Sequence, residues 1–232
     1  MSQSQITASY EIVYTTLKTR ILNLELPPGS LVSETETAKE FAVSRTPVRD
    51  AIKALVNDGL LEVKPHIGTF VTLIDINEIS DILYIREVLE KAIVGELMLS
   101  FNQSQEFKLR HILHSQQNLI EDTLLSPKDF AKEFVKSDTA FHCALFSLTG
   151  KTNLITYFQI INPQYERFKT FLNFEDKHTA QNLYKEHLEL LEGIKNKDID
   201  KVNMLLTHHI YDEFNSKTNL IHQYPNYFKT IS

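Results

Sequence analysis

The stretch Val43–Lys53, VSRTPVRDAIK, constrains this chain more than any other. Ser44 and Thr46 can each offer a side-chain oxygen to the first amides of a helix, and Pro47 is tolerated in a first turn, where its missing N–H would have no partner. From that start Arg45, Arg49 and Lys53 recur at i, i+4 and i+8, while Val48, Ile52 and Leu55/Val56 form an apolar stripe behind them. One face packs and the other presents cations. Taken alone, that row reads equally well as the solvated face of an ordinary amphipathic helix. Just ahead of it, Ser33 and Glu36 have the spacing of a capping box, which predicts a short helix over Glu34–Phe41 that runs through Ala42-Val43 into the second helix. Two short helices joined so tightly make a helix-turn-helix, whose second helix lies in the major groove of DNA.

The flanks suit that unit. Ile12/Val13, Leu17, Ile21 and Leu24 recur with a helical period over Tyr10–Leu24, and LELPPG stops the run because each Pro disfavours helix in the residue before it. Asp58-Gly59 supplies a glycine end to the second helix. Leu60–Val63 and Thr69–Leu73 are short apolar and β-branched runs on either side of Lys64-Pro65-His66-Ile67-Gly68, the pattern of a β-hairpin. Placed directly after a helix-turn-helix, such a hairpin is a wing, or else a plain cover for the helices.

The segment PPGSLVSETETAKEFAVSRTPVRDAIKALVNDGLLEVKPHIGTFV resembles the winged helix-turn-helix of GntR-family transcription regulators, and the resemblance covers Tyr10–Val71. It implies that Arg45 and Arg49 contact bases and phosphates, that Ser44 and Thr46 contact phosphate, and that His66–Gly68 enter the minor groove. Thr35, Thr37 and Ala42 depart from residues common in that family, and Thr35 removes one phosphate contact. The expected DNA-binding domain is residues 8–73.

A net charge of -6 argues against nonspecific coating of nucleic acid, so the positive field must be local: Lys18, Arg20, Lys39, Arg45, Arg49, Lys53 and Lys64 are the head's cations. The opening MSQSQITASY is polar and unlike an export signal, and the most apolar window, Ala92–Phe101, is broken by Glu96 and too short to span a bilayer. A single Cys143 forms no intrachain disulfide and reads as a small buried hydrophobe. A cytoplasmic protein without membrane partners is expected.

Past a boundary at Leu73-Ile74-Asp75-Ile76-Asn77 the chain reads as successive helices: one capped by Asn77, then about Ser104–Leu125, Pro127–Leu148, about Asn153–Leu172, Thr179–Lys195 and Ile199–Ser216. The fold class is mainly α: three helices with a β-hairpin wing, then an antiparallel helical bundle over residues 77–232. Within the third bundle helix Asp138 and His142 fall at i, i+4 on an apolar face containing Phe134, Phe141, Leu145 and Leu148. His187 sits between Leu183 and Leu190/Leu191, and His209 aligns with Val202 and Leu206 while His208 points a quarter-turn away. Each alone would be an ordinary core histidine. Four such intrusions on three helices fit one divalent cation, which neutralises a buried carboxylate and accepts every lone pair. Three imidazoles and a carboxylate suit Zn, Ni, Mn or Fe rather than Ca or Mg. His111, His114, His178 and His222 lack this placement, and Glu186 should point away from the metal.

SDTAFHCAL, EHLELLEGIKNKD and the closing HHI are similar to the FCD ligand-binding domain of the FadR branch of GntR regulators, over about Ile79–Phe214. That resemblance puts Asp138, His142, His187 and His209 in the metal positions and Arg86 on the cavity, where it would hold an effector carboxylate or, alternatively, pair with Glu90. The expected function is therefore a homodimeric, ligand-responsive regulator, a repressor, that binds double-stranded operator DNA and senses a small carboxylate through the metal. Against it stand a metal-dependent hydrolase or lyase with a DNA-binding head, and a regulator whose metal is structural or is itself the signal.

Overall fold

The computed structural model describes residues 3–155, 163–173, 177–216 and 218–229, and the chain divides into two compact units. The first comprises the chain up to Ile76 with Pro163–Phe168 and the residues from Ile221 onward; the rest forms the second.

In the first unit, α1 (Gln3–Leu22) buries Val13, Leu17 and Ile21 and leaves Ile12 exposed. It ends before Leu24, which takes a positive φ of 58°. Ser33 caps α2 (Glu34–Glu40) by accepting from the Glu36 amide at 3.3 Å. The next helix, α3 (Arg45–Asn57), turns Val48, Ala51, Ile52 and Leu55 inward against α1. Ser44 occupies its cap position without a side-chain cap bond. Pro47 stands third in the helix, so one of the two amides that a capping oxygen normally takes does not exist. A strand the sequence did not announce, β1 (Leu31–Val32), joins the expected hairpin of β2 (Leu61–Lys64) and β3 (Gly68–Val71) in the order β1-β3-β2. All pairs are antiparallel, with Leu61 opposite Val71 and Leu31 opposite Phe70. The end of α3 is tied down twice. Tyr14 and Lys18 of α1 donate to Asp58 at 2.6 and 3.0 Å. On α7 (Pro163–Asn173), Gln164 donates to the Gly59 carbonyl at 2.6 Å and Arg167 to the Thr72 carbonyl at 2.7 Å.

The second unit is a helical bundle. α4 (Ile76–Leu99) begins one residue earlier than expected, which puts Asn77 in its first turn. Asn102 and Gln105 form a reciprocal capping box on α5 (Gln103–Glu121), and Ser126 with Pro127 starts α6 (Pro127–Leu148). Of the helix expected over Asn153–Leu172, residues 156–162 lie outside those described, and a helix starts at Pro163. α8 (Lys177–Lys195), α9 (Ile199–Ser216) and the short α10 (Thr218–Gln223) follow. One apolar cluster joins Ile93 and Leu97 of α4, Leu109 and Leu113 of α5, Phe141 and Leu145 of α6, Leu190 and Ile194 of α8, and Val202 and Leu206 of α9. The last two helices approach closely at Gly193, where a Cβ would stand 2.6 Å from Val202 Cγ2. Cys143 is half-buried. Among the described residues no helix is long and apolar enough to cross a membrane.

Candidate metal centre and DNA-reading face

α6, α8 and α9 bring Asp138, His142, His187 and His209 to one point inside the bundle, all four buried. The three Nε2 atoms form a nearly equilateral triangle: His142 to His209 is 3.0 Å, His187 to His209 3.2 Å and His142 to His187 3.3 Å. Asp138 Oδ1 lies 3.5 Å from His187 Nε2 and 3.8 Å from His142 Nε2. Two nitrogens held about 2.1 Å from one metal stand about 3.0 to 3.4 Å apart in octahedral or tetrahedral geometry, so these side chains fit a first-row divalent ion.

What lies behind each ligand sets its proton. His142 Nδ1 donates to Glu90 Oε2 at 2.8 Å, and the same carboxylate takes Arg86 Nε on Oε1 at 2.6 Å. Burial alone would raise the Glu90 carboxyl, yet Arg86 and His142 hold it well below the usual carboxylate range, so it accepts only. Gln116 donates through Nε2 to the Ser137 carbonyl at 3.1 Å, which leaves Oε1 to accept from His187 Nδ1 at 3.0 Å. His209 Nδ1 donates to Glu186 Oε2 at 2.7 Å. Burial, and then His209 beside it, keeps His187 well below the ordinary imidazole range; burial and then His142 do the same to His209. With Nδ1 engaged behind each ring, the three Nε2 atoms face one another, the arrangement in which neutral imidazoles offer their lone pairs to one cation. Lone pairs so arranged repel unless a cation sits among them. Asp138 opposes its own burial through Lys169, which holds its Oδ2, and its carboxyl stays far below the ordinary value. Phe141 stacks on His187 with centroids 4.1 Å apart and fixes that ring.

Four residues outside the expected set thus orient the four ligands: Glu90 from α4, Gln116 from α5, Glu186 from α8 and Lys169 from α7. Gln116 had a sequence signal, since it continues the buried row of Leu109 and Leu113. Lys169 had none. Glu186 faces the cluster rather than away from it, although it reaches His209 Nδ1 and not the centre. Arg86 is buried with its Nε on Glu90, the alternative partner expected for it. His111, His114, His178 and His222 are exposed.

On the first unit, Ser44, Arg45, Thr46 and Arg49 are exposed along the start of α3, and Lys53 continues the row. Arg49 donates to Glu34 through Nε at 3.4 Å and Nη2 at 3.2 Å. Lys53 lies 3.7 Å from Asp50. The wing tip carries His66 at φ 62°, Ile67 at 71% exposure and Gly68 at φ 150°. A Cβ on Gly68 would stand 2.7 Å from Leu31 Cδ1, so glycine there admits β1 beside the hairpin. The exposed surface at the start of α3 carries hydroxyls and guanidinium groups, whereas the wing tip carries the His66 imidazole beside the apolar Ile67.

Comparison with known proteins bears on both sites. Residues 9–71 match the bacterial regulatory proteins of the gntR family, and residues 81–212 match the FCD domain. The chain is 27% identical over 231 residues to an uncharacterized HTH-type transcriptional regulator in an unstable DNA locus of Streptomyces ambofaciens, covering 99% of this chain and 94% of that one. It is 26% identical over 200 residues to the HTH-type transcriptional repressor RspR of Escherichia coli (strain K12), covering 86% and 85%. Among solved structures, E. coli McbR/YncC shares the fold with a TM-score of 0.66 at 20% identity, covering 93% of this chain and 98% of that one.

Proposed function

The chain belongs to the gntR family of bacterial regulatory proteins, carries an FCD domain and is a DNA-binding transcription regulator; from that premise we propose that a small organic acid controls it through a divalent transition metal on Asp138, His142, His187 and His209. The observation that carries this reading is the triangle of three Nε2 atoms whose Nδ1 protons are all engaged by acceptors behind them. The metal would supply Lewis-acid positions for a carboxylate, and the buried Arg86 and Lys169 add positive charge around the cluster. RspR is named a repressor, which supports the same sign of control here. Ser44, Arg45, Thr46, Arg49, His66 and Gly68 are the DNA contacts, and a homodimer would pair two such heads on half-sites about one DNA turn apart. The relatives are transcription regulators, so the hydrolase or lyase alternative is set aside.

Complete burial of four protein ligands also favours a second reading, in which the metal is structural or is the signal, because closed sites are typical of structural metals. One experiment separates them. Metal content is measured by elemental analysis on protein prepared without chelator, for wild type and His187→Ala, and operator affinity is then followed during carboxylate titration. About one transition metal per chain, lost in the variant, with DNA affinity that responds to a carboxylate, is the expected result. Affinity that responds only to metal supports the second reading, and absence of metal from wild type after reconstitution defeats both.

A further inference from the structure

α9 does more than present His209 inward. His208, the next residue, is exposed, and Asp212 stands one turn further along the same face. Across from them, Glu186 of α8 approaches with its second carboxylate oxygen. His208 Nδ1 is 3.6 Å from Glu186 Oε1, and His208 Nε2 is 3.8 Å from Asp212 Oδ1. One ligand atom from each of the three residues lies within 4.8 Å of the others. We propose that Glu186, His208 and Asp212 form a second divalent-metal site, open to solvent, weaker than the buried one and joined to it through the two oxygens of Glu186.

Three features separate this group from an ordinary surface ion-pair set. The first is a histidine and a carboxylate one helical turn apart with a third ligand group on another helix: an ion takes one nitrogen of His208, Nδ1 beside Glu186, and the exposed Asp212 carboxylate, which stands beside Nε2, swings to join it. Glu186 is not a loose surface side chain: its Oε2 is fixed by His209 Nδ1 at 2.7 Å, so Oε1 is held facing His208. Charge is the third feature. Among the described residues neither Glu186 nor Asp212 pairs with a Lys or Arg; their ion-pair partners are histidines alone. A divalent cation would relieve this crowding of negative charge, and the remaining coordination positions would go to water. One imidazole with two carboxylates suits Zn, Ni, Co or Mn.

The joint to the buried site rests on the reading of that site as a metal centre. An outer ion drawing on Oε1 weakens the hold of Oε2 on the His209 proton, which makes His209 a poorer ligand, and the two cations repel. The coupling is therefore negative and must act equally in both directions.

The test titrates Zn²⁺ alone into metal-stripped, full-length protein and counts bound ions by equilibrium dialysis with elemental analysis. Wild type should show a tight and a weak ion per chain. The pair His208→Gln and Asp212→Asn, both exposed and so leaving the fold intact by circular dichroism, should lose the weak ion only. His187→Ala should lose the tight one and keep the weak one. At saturating Zn²⁺ the tight ion should be held on the order of fivefold more tightly in the double variant than in wild type. Identical isotherms for wild type and double variant overturn the site, and equal affinity for the tight ion overturns the coupling. A single weak ion in wild type, abolished by the double variant, supports this site while defeating the buried centre.

Discussion

In the reading head, Arg45, Arg49 and Lys53 stand in solvent, where each keeps its hydration whatever its neighbours are; in the bundle, Glu90, Asp138, His187 and His209 have lost that hydration and depend on partners. Exposed charge is thermodynamically cheap, so on its own it says little about purpose, and the head has to be recognised from the spacing of its motif. Buried charge survives only with a complete set of partners, so those partners themselves report what the site is built for. The Arg49–Glu34 pair can be given up to a phosphate at small cost. The Glu90–His142 pair cannot be given up to anything without leaving a buried group unmatched.

That contrast fails or sharpens at particular positions. The largest effect should come from Glu90→Ala, which strips both Arg86 and His142 of their acceptor inside the core: a loss of about 3 to 5 kcal/mol of unfolding free energy is expected in chemical denaturation. A loss as small as that of a surface substitution would break the distinction. Gln116→Leu keeps the volume but removes the acceptor behind His187, and should cost about 1 to 3 kcal/mol. It should also weaken metal binding by about 10- to 100-fold in a competition titration. Arg49→Ala should behave in the opposite way, with operator affinity down by about 1 to 3 kcal/mol in a gel-shift series if it contacts base edges, and unfolding free energy unchanged within about 0.5 kcal/mol. Comparable losses in both measurements would mean that Arg49 is structural.

The smallest effect sharpens the border between the two regimes. Asp58 is partly exposed and accepts from Tyr14 and Lys18; burial raises its carboxyl, but the two donors outweigh it and the net shift is downward. A carboxyl lowered in the folded protein contributes stability that is present above the unfolded value of about 3.9 and is lost as pH falls through the folded one. Asp58→Asn should therefore cost under about 1 kcal/mol at neutral pH, after allowance for solvent screening. In urea melts at stepped pH, the gap between wild type and variant should close as the solution is acidified below about pH 4.

Sequence reasoning reached these two regions unequally. The head was legible because local rules decide it: caps, a glycine end, β-branched runs and the 3.6 period. What it missed was β1, two residues in a stretch that reads as a turn, whose pairing with Phe70 and Thr69 depends on contacts far along the chain. In the bundle, the inward residues Asp138, His142, His187 and His209 showed themselves by breaking apolar stripes. Their orienting partners did not, because Glu90 shares its stripe with Arg86 and reads as a helix ion pair, and Lys169 sits in a helix whose charged residues look solvated. Which side chain meets which across six helices is a property of packing, and no period in one helix carries it.

The close approach at Gly193 bears on how this protein can change over generations. α8 and α9 carry His187 and His209 to the cluster, and their separation is set where Gly193 meets Val202. Any side chain at 193 wedges the hairpin apart while Val202 remains, so neither position drifts freely. Lineages should cross this gap only by paired exchange, Gly193→Ala together with Val202→Ala, in which one residue yields the methyl space that the other takes. Two codons nine positions apart are thereby inherited as one unit, under selection for a site neither of them touches.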